Sequence, residues 1–314
     1  MPRGLRFVPE GGTLVEVTLR TDQSRLLLRP SPALNEIILG VMGRAQQRYG
    51  VRVASVVCLS NHWHALLQVD DALQLARFMQ YVDGNLAKEI GRKEMHDWPH
   101  GVWSGRYKAI LVSDEPEAQV ARLRYHLAHG VKEGLVSRVT EWPGVHFARA
   151  VLQGKPLKGY WFDRSQEYAA RNRGDDFGRL KYATEEELLL TQLPCWAHLT
   201  PEQYRERVAG LAEEIEADAK AVREQKGTEP MGVEAILRQD PHNRPNETKK
   251  SPAPGFHAAS KAARQAFWEA YSAFVAAFRE AAEKLKAGDR TARFPLGSFP
   301  PAKPFVSAYP ALPP

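Results

Sequence analysis

Two hydrophobic periods alternate along the first half of the chain. Between Thr13 and Arg20, Val15, Val17 and Leu19 alternate with Glu16, Thr18 and Arg20, with one break in register at Leu14. This is the period-two pattern of a half-buried strand. Ser31-Pro32 then gives a cap and first-turn signal, Leu34, Ile38, Val41 and Ala45 recur at helical spacing, and Gly50 is placed to close the helix. Val51–Cys58 is rich in β-branched residues, and after the break "LSN" a second extended run, "HWHALLQV", is expected to pair with it. Leu75, Met79, Val82, Leu86 and Ile90 mark an amphipathic helix from Asp71 to about Gly91, "YKAILV" from Tyr107 reads as a further strand, and Glu115–Gly130 reads as a helix with a closing glycine.

The resulting order is strand, helix, two strands, helix, strand, helix. It suits an α+β fold: a ferredoxin-like antiparallel sheet with helices on one face, formed by residues 1–150. A connecting and helical region, 151–238, includes the aromatic stretch "GYWFDRSQEY" and a capping box at Thr200-Pro201-Glu202-Gln203, after which Tyr204, Val208, Leu211 and Ile215 trace one helix face. Residues 239–256, "QDPHNRPNETKKSPAPGF", are polar and proline-rich and read as a linker. In 257–314 a helix carries Phe267, Tyr271, Phe274, Phe278, Ala281 and Leu285 on one stripe, the pattern of core packing, and a proline-rich tail begins near Phe294. The C-terminal extension is therefore mainly helical.

Composition adds little to this picture. Across 314 residues, 43 Lys and Arg stand against 37 Asp and Glu, a formal +6 that mildly favours a polyanionic partner. The two cysteines, Cys58 and Cys195, lie far apart without a CxxC spacing, which supports neither a disulfide framework nor a cysteine zinc site. No apolar run approaches the roughly 18 residues that span a bilayer, and "MPRGLRFVPEGG" lacks the apolar core of a signal peptide. A cytoplasmic, nucleoid-associated location with no membrane partner is expected.

The chemistry-bearing feature is "NHWHALL", residues 61–67. On a strand His62 and His64 share a face while Trp63 points to the other. Two such histidines are often no more than hydrogen-bonded polar residues, and metal binding needs a third donor. Tyr125 and His129, four apart on the helix 115–130, project together, with Val120, Leu123 and Leu127 about 160° round the helix. His62, His64 and His129 are the candidate ligands of one divalent cation, with the Tyr125 hydroxyl beside it. A phenol with a pKa near about 10 is a poor nucleophile until a base or cation helps it, and a cation on a phosphoryl oxygen would offset the charge of attack. Phosphodiester transesterification through a phosphotyrosine is one reading. A three-histidine zinc hydrolase, which has no need of Tyr125, is the other.

The chain resembles the REP-associated tyrosine transposases, a branch of the single-tyrosine HUH transposases. "LSNHWHALL" resembles the HUH strand, "VWSGRYKAIL" the Trp-x-x-Arg-aromatic block, and "LRYHLAHGVKEGLV" with "EWPGVHF" the nucleophile helix and the segment after it. The resemblance makes His62 and His64 metal ligands and Tyr125 the nucleophile, with His129 at the third ligand position, where relatives often carry an amide. It implies a Mg²⁺- or Mn²⁺-dependent transposase that cleaves single-stranded DNA near a hairpin and transfers the strand, acting as a monomer or homodimer. A DNA-binding protein that keeps hairpin recognition without cleavage is the alternative within this resemblance. Arg3, Arg6, Arg20, Arg106 and Lys132 are candidate phosphate contacts, and Trp103 a candidate stacking residue.

Overall fold

The computed structural model describes residues 7–92, 95–175, 178, 180–245 and 255–299. Strand β1 (Thr13–Arg20) leads to helix α1 (Pro32–Tyr49), the paired strands β2 (Arg52–Leu59) and β3 (His62–Val69), helix α2 (Ala72–Gly91), strand β4 (Lys108–Val112) and helix α3 (Pro116–Leu127). The Ser31 cap and the Gly50 stop act as the sequence implies, Ser31 accepting from the Leu34 amide at 3.2 Å and Gly50 ending α1 in the left-handed region, and Asp71 caps α2 as well, accepting from the Gln74 amide at 2.7 Å. Beyond residue 147 come helix α4 (Ala148–Gln153), strand β5 (Lys158–Phe162), helix α5 (Arg164–Arg173), strand β6 (Ala183–Glu187), helices α6 (Pro201–Lys226) and α7 (Val233–Arg238), strand β7 (Phe256–His257) and helix α8 (Lys261–Lys286).

The five-stranded sheet runs β2-β3-β1-β4-β7, antiparallel except for the parallel β4–β7 pair. Its α+β class and antiparallel core are those expected, and α1 and α2 cover one face with Leu34, Ile38, Val41, Phe78, Val82 and Leu86 over Val15, Val17, Trp63 and Leu67. The opposite face is covered as well. There Leu123 and Leu127 of α3, Trp142, and Val208, Ala212 and Ile215 of α6 pack on Leu14, Val57, Leu59 and Leu66. The expectation that β1 is half-buried is thus corrected: Leu14 to Val17 are all buried, because a second helical layer lies over the side that carries Glu16.

The later segments are built onto the first. The antiparallel β5–β6 pair lies against α1, where Arg44 meets the buried Glu186 at 2.7 Å and lies over the Trp161 ring at 4.0 Å. Two glycines make this approach possible. A Cβ on Gly40 would stand 2.1 Å from the Tyr160 carbonyl carbon, and one on Gly159 would stand 2.0 Å from the Glu36 oxygen. Both obstacles are backbone, which cannot swing aside as a side chain can. Gly40→Ala is therefore expected to cost about 3 kcal/mol through overpacking, read as a lower urea midpoint at unchanged slope.

Two further contacts tie the extension to the sheet. Arg164 of α5 makes a bidentate pair with the buried Glu89 of α2, and β7 adds to the edge of β4 with Phe256 stacked on Phe267 at 4.1 Å. The aromatic stripe of α8 packs as expected, Phe267, Tyr271 and Phe274 surrounding Phe7. The outer edge of β2 is closed by hydrogen bonds to 145–147 and to Thr191, which leaves no open ladder there. Among the described residues no helix is long and apolar enough to cross a membrane.

Candidate functional site

Strand register sets the site. Thr18 lies opposite His64 and Arg20 opposite His62, so Glu16, Thr18 and Arg20 of β1 share a face with the two histidines, while Trp63 turns into the core beneath α1 and α2. On β2 an irregularity between Val53 and Ser55 shifts the pairing by one residue and puts Ser55 on the histidine face, where its hydroxyl lies 2.8 Å from His126 Nδ1. Helix α3 crosses this face. It ends at Leu127 rather than at Gly130, but hydrogen-bonded turns carry the chain on, so Tyr125 and His129 remain neighbours with ring centroids 4.8 Å apart.

The three candidate ligands converge. One ring nitrogen from each of His62, His64 and His129 lies within 4.8 Å of the others, and the His64 and His129 rings stack at 4.6 Å. In each ring Nδ1 is already engaged: His62 with Asn61 at 2.6 Å, His64 with Thr18 at 2.8 Å, and His129 with Glu133 at 3.0 Å. That leaves Nε2 of each for a shared point, and His129 Nε2 is buried without a hydrogen-bond partner among the described residues. Burial, reinforced by neighbouring cations, holds His62 and His129 well below the usual imidazole range and His64 at about 4. Neutral imidazoles oriented through their other nitrogen suit a divalent cation. His64→Ala is accordingly expected to weaken Mn²⁺ or Co²⁺ binding at least about a hundredfold by isothermal titration, since losing a mere supporting hydrogen bond costs about 10 to 100-fold.

Glu133 acts twice in this arrangement. It accepts from His129 and, at 2.7 Å, from the amide of Gly130, whose φ of 88° lets the chain turn back over the site. Tyr125 lies 5.7 Å from His64 between rings, with Lys132 Nζ 3.4 Å from its ring centroid and the Arg122 guanidinium 4.9 Å away. Burial, with the charges of Glu16 and Glu133, raises the phenol above its ordinary value against the pull of Arg122 and Arg20. The phenol therefore rests protonated, and attack requires a proton acceptor and nearby positive charge.

Behind the histidines sits a group that sequence reasoning missed. Glu16, 3 % exposed, accepts from His257 Nε2 at 2.7 Å and from His126 Nε2 at 3.3 Å, and lies 3.4 Å from His64 Nδ1 and 3.6 Å from Arg122. Burial alone would raise its carboxyl, but the hydrogen bonds from His126, His257 and His64 prevail and hold it far below the carboxylate range. The alternation of β1 placed Glu16 on the polar side, and only strand register could show that this side faces His64.

The remaining candidates fall in different places. Lys132 is beside Tyr125. Arg20 stands at the His62 end of β1 with Nη1 3.4 Å from Ser24 Oγ, and Ser104 donates to the Arg20 carbonyl, which brings the Trp103–Arg106 segment alongside. Trp103 packs against the α1–α2 core and donates to the Asp83 carbonyl at 2.8 Å, whereas Arg106 is exposed. Arg3 and Arg6 lie outside the described residues.

Known proteins share a likeness with part of the chain. The model of the family described as "Transposase IS200 like" matches residues 16–124, a segment that contains His62 and His64 and stops one residue before Tyr125. A comparison with curated proteins finds no match. Solved structures similar to this chain include a REP-associated tyrosine transposase bound to a REP hairpin, at 16 % identity and a TM-score of 0.40 over 61 % of this chain and 100 % of that one. Another is a protein of Deinococcus radiodurans R1 described as a transposase, at 15 % identity and a TM-score of 0.28 over 39 % of this chain and 95 % of that one. From Glu16 to Arg124, the stretch that builds the sheet and its two-histidine strand, the chain resembles the IS200-like transposases.

Proposed function

We propose that the protein is a metal-dependent transposase that cleaves and rejoins single-stranded DNA at a hairpin through a covalent 5′-phosphotyrosine on Tyr125. The observation that carries this reading is the convergence of His62, His64 and His129 beside a tyrosine flanked by two cations. A zinc hydrolase would account for the three histidines and leave Tyr125 without a chemical task. The family match over residues 16–124 supports the same choice.

In this reading His62, His64 and His129 hold the divalent cation, which when bound polarises a phosphoryl oxygen and offsets the charge gained on attack. Three imidazoles suit Mn²⁺ and softer ions better than Mg²⁺. Tyr125 Oη forms a bond to phosphorus as the bond to the 3′ oxygen breaks; the phenol proton passes to a solvent base, and the departing oxygen takes up a proton as a 3′-hydroxyl. Arg122 and Lys132 stabilise the phenolate as it forms and hold the phosphate in line. A 3′-hydroxyl from a second strand reverses the step, so one phosphodiester replaces another without a nucleotide cofactor. A homodimer would bring two such sites to a pair of DNA ends.

The test is incubation with end-labelled single-stranded hairpin DNA and Mn²⁺ or Mg²⁺, followed by denaturing electrophoresis. The expected result is a protein–DNA adduct whose modified peptide contains Tyr125. Hairpin binding with no adduct would replace the transposase by a DNA-binding protein, and metal-dependent hydrolysis with no adduct would replace it by a hydrolase.

A further inference from the structure

Helix α6 lies outside the segment matched by the family model, yet its last turns line a groove together with Tyr125. Its first half is buried on the sheet layer through Val208, Ala212 and Ile215, and Arg124 of α3 is paired across the junction with Asp218 at 2.9 Å. Beyond that pair lies a groove of about 640 Å³ between α3 with its following turn and the end of α6. Tyr125, whose ring lies 4.8 Å from that of His129, is in its wall.

Charge and shape indicate what fits. Arg122, Arg124, Lys132, Arg223 and Lys226 line the groove against Glu133 and Asp218, and apolar residues such as Val131 and Ala219 complete the wall. Asp218 is taken by Arg124, and Glu133 by His129 and the Gly130 amide. Arg223 is less committed: its Nη1 is shielded from solvent and has no hydrogen-bond partner among the described residues. An elongated polyanion with flat apolar groups meets these features: phosphates on the cations and bases or sugars along the apolar wall.

We infer that this groove seats the single-stranded segment adjoining the phosphate attacked by Tyr125, with Arg223 and Lys226 of α6 gripping backbone phosphates outside the reacting one. The inference rests on the proposed function and adds to it a role for the C-terminal extension as one wall of the strand channel. A hairpin without a single-stranded flank does not enter the groove. Affinity for a flanked hairpin therefore contains a contribution from α6 that affinity for a blunt hairpin lacks.

The experiment compares the full-length protein with an Arg223→Glu/Lys226→Glu variant, and with the milder Arg223→Gln/Lys226→Gln variant as a second reading. Fluorescence anisotropy is measured on a flanked hairpin and on the blunt hairpin across a salt series, with Mn²⁺ titration as a check on the metal site. Loss of two phosphate contacts to a single strand should lower the slope of log K against log salt by about 1.4. Affinity for the flanked hairpin should fall at least tenfold, with blunt-hairpin and Mn²⁺ binding unchanged. Equal affinity and equal slope in parent and variants overturn the groove, as does a parent that binds no flanked DNA. An adduct formed equally well by both variants removes the groove and leaves the transposase reading intact. Flank-dependent binding that the variants lose, in a parent that forms no adduct, does the reverse.

Discussion

Tyr125→Phe should abolish the protein–DNA adduct, lowering its rate of formation at least about a thousandfold, while hairpin affinity and Mn²⁺ binding stay near those of the parent. The substitution removes one oxygen and keeps the ring. Packing against His129 at 4.8 Å and the contacts of Lys132 and Arg122 with the ring face persist, so neither the turn after α3 nor the histidine cluster has cause to move. The phenol is half-buried, and among the described residues it makes no hydrogen bond to His62, His64 or His129, which separates this change from substitutions of the histidines themselves. Adduct yield on denaturing gels gives the measurement. A phenylalanine variant that still forms adduct at the parental rate would assign the nucleophile to another group and remove the mechanism described above.

Glu16→Ala should be the most destabilising single change in the sheet, at about 3 to 5 kcal/mol by urea denaturation. Removing one partner of a buried charge cluster leaves the others unpaired, here His126, His257 and Arg122. Glu16→Gln keeps the shape and one acceptor and should cost less. It also isolates a pH effect whose direction follows from the folded carboxyl being held far below its ordinary value of 4.5. The unfolded chain takes up this proton near pH 4.5 and the folded chain does not. The Glu16 contribution is therefore complete above that pH and is lost as acid is added below it. Urea midpoints from pH 7 to pH 3 should fall more steeply for the parent than for Glu16→Gln below pH 4.5. Parallel curves would mean that Glu16 is not held as an anion.

The first four strands and three helices could be read from the sequence because each carries its own period and punctuation: Ser31 as a cap, Gly50 as a stop, alternation in β1 and β3. The same local logic brought His62, His64, Tyr125 and His129 together, since parity on a strand and four-residue spacing on a helix both survive folding. The two-stranded β5–β6 sheet could not be read in this way. Its second strand, "ATEEE", looks like exposed loop, and Glu186 is inward only because Arg44 and Gln47 of α1 reach it. Glu16, His126 and His257 escaped for a related reason: the contacts that join them span 110 and 241 residues, and no window along the chain contains both partners. The second helical layer, unforeseen as well, depends on α6 returning over a face whose exposed polar residues suggested solvent.

The return of β7 has a consequence for how the protein comes into being. His257 adds to the hydrogen bonding of Glu16 and β7 pairs with Leu111 and Val112 at the end of β4, yet both are synthesised long after the residues they serve. A nascent chain that has released only its first 150 residues holds all three histidines and the tyrosine, with β4 bare and the central carboxylate short of one donor. The site is finished only when translation has passed residue 257. Any message cut short before that codon yields a chain with the three histidines and the tyrosine but without the donor and the strand that support them.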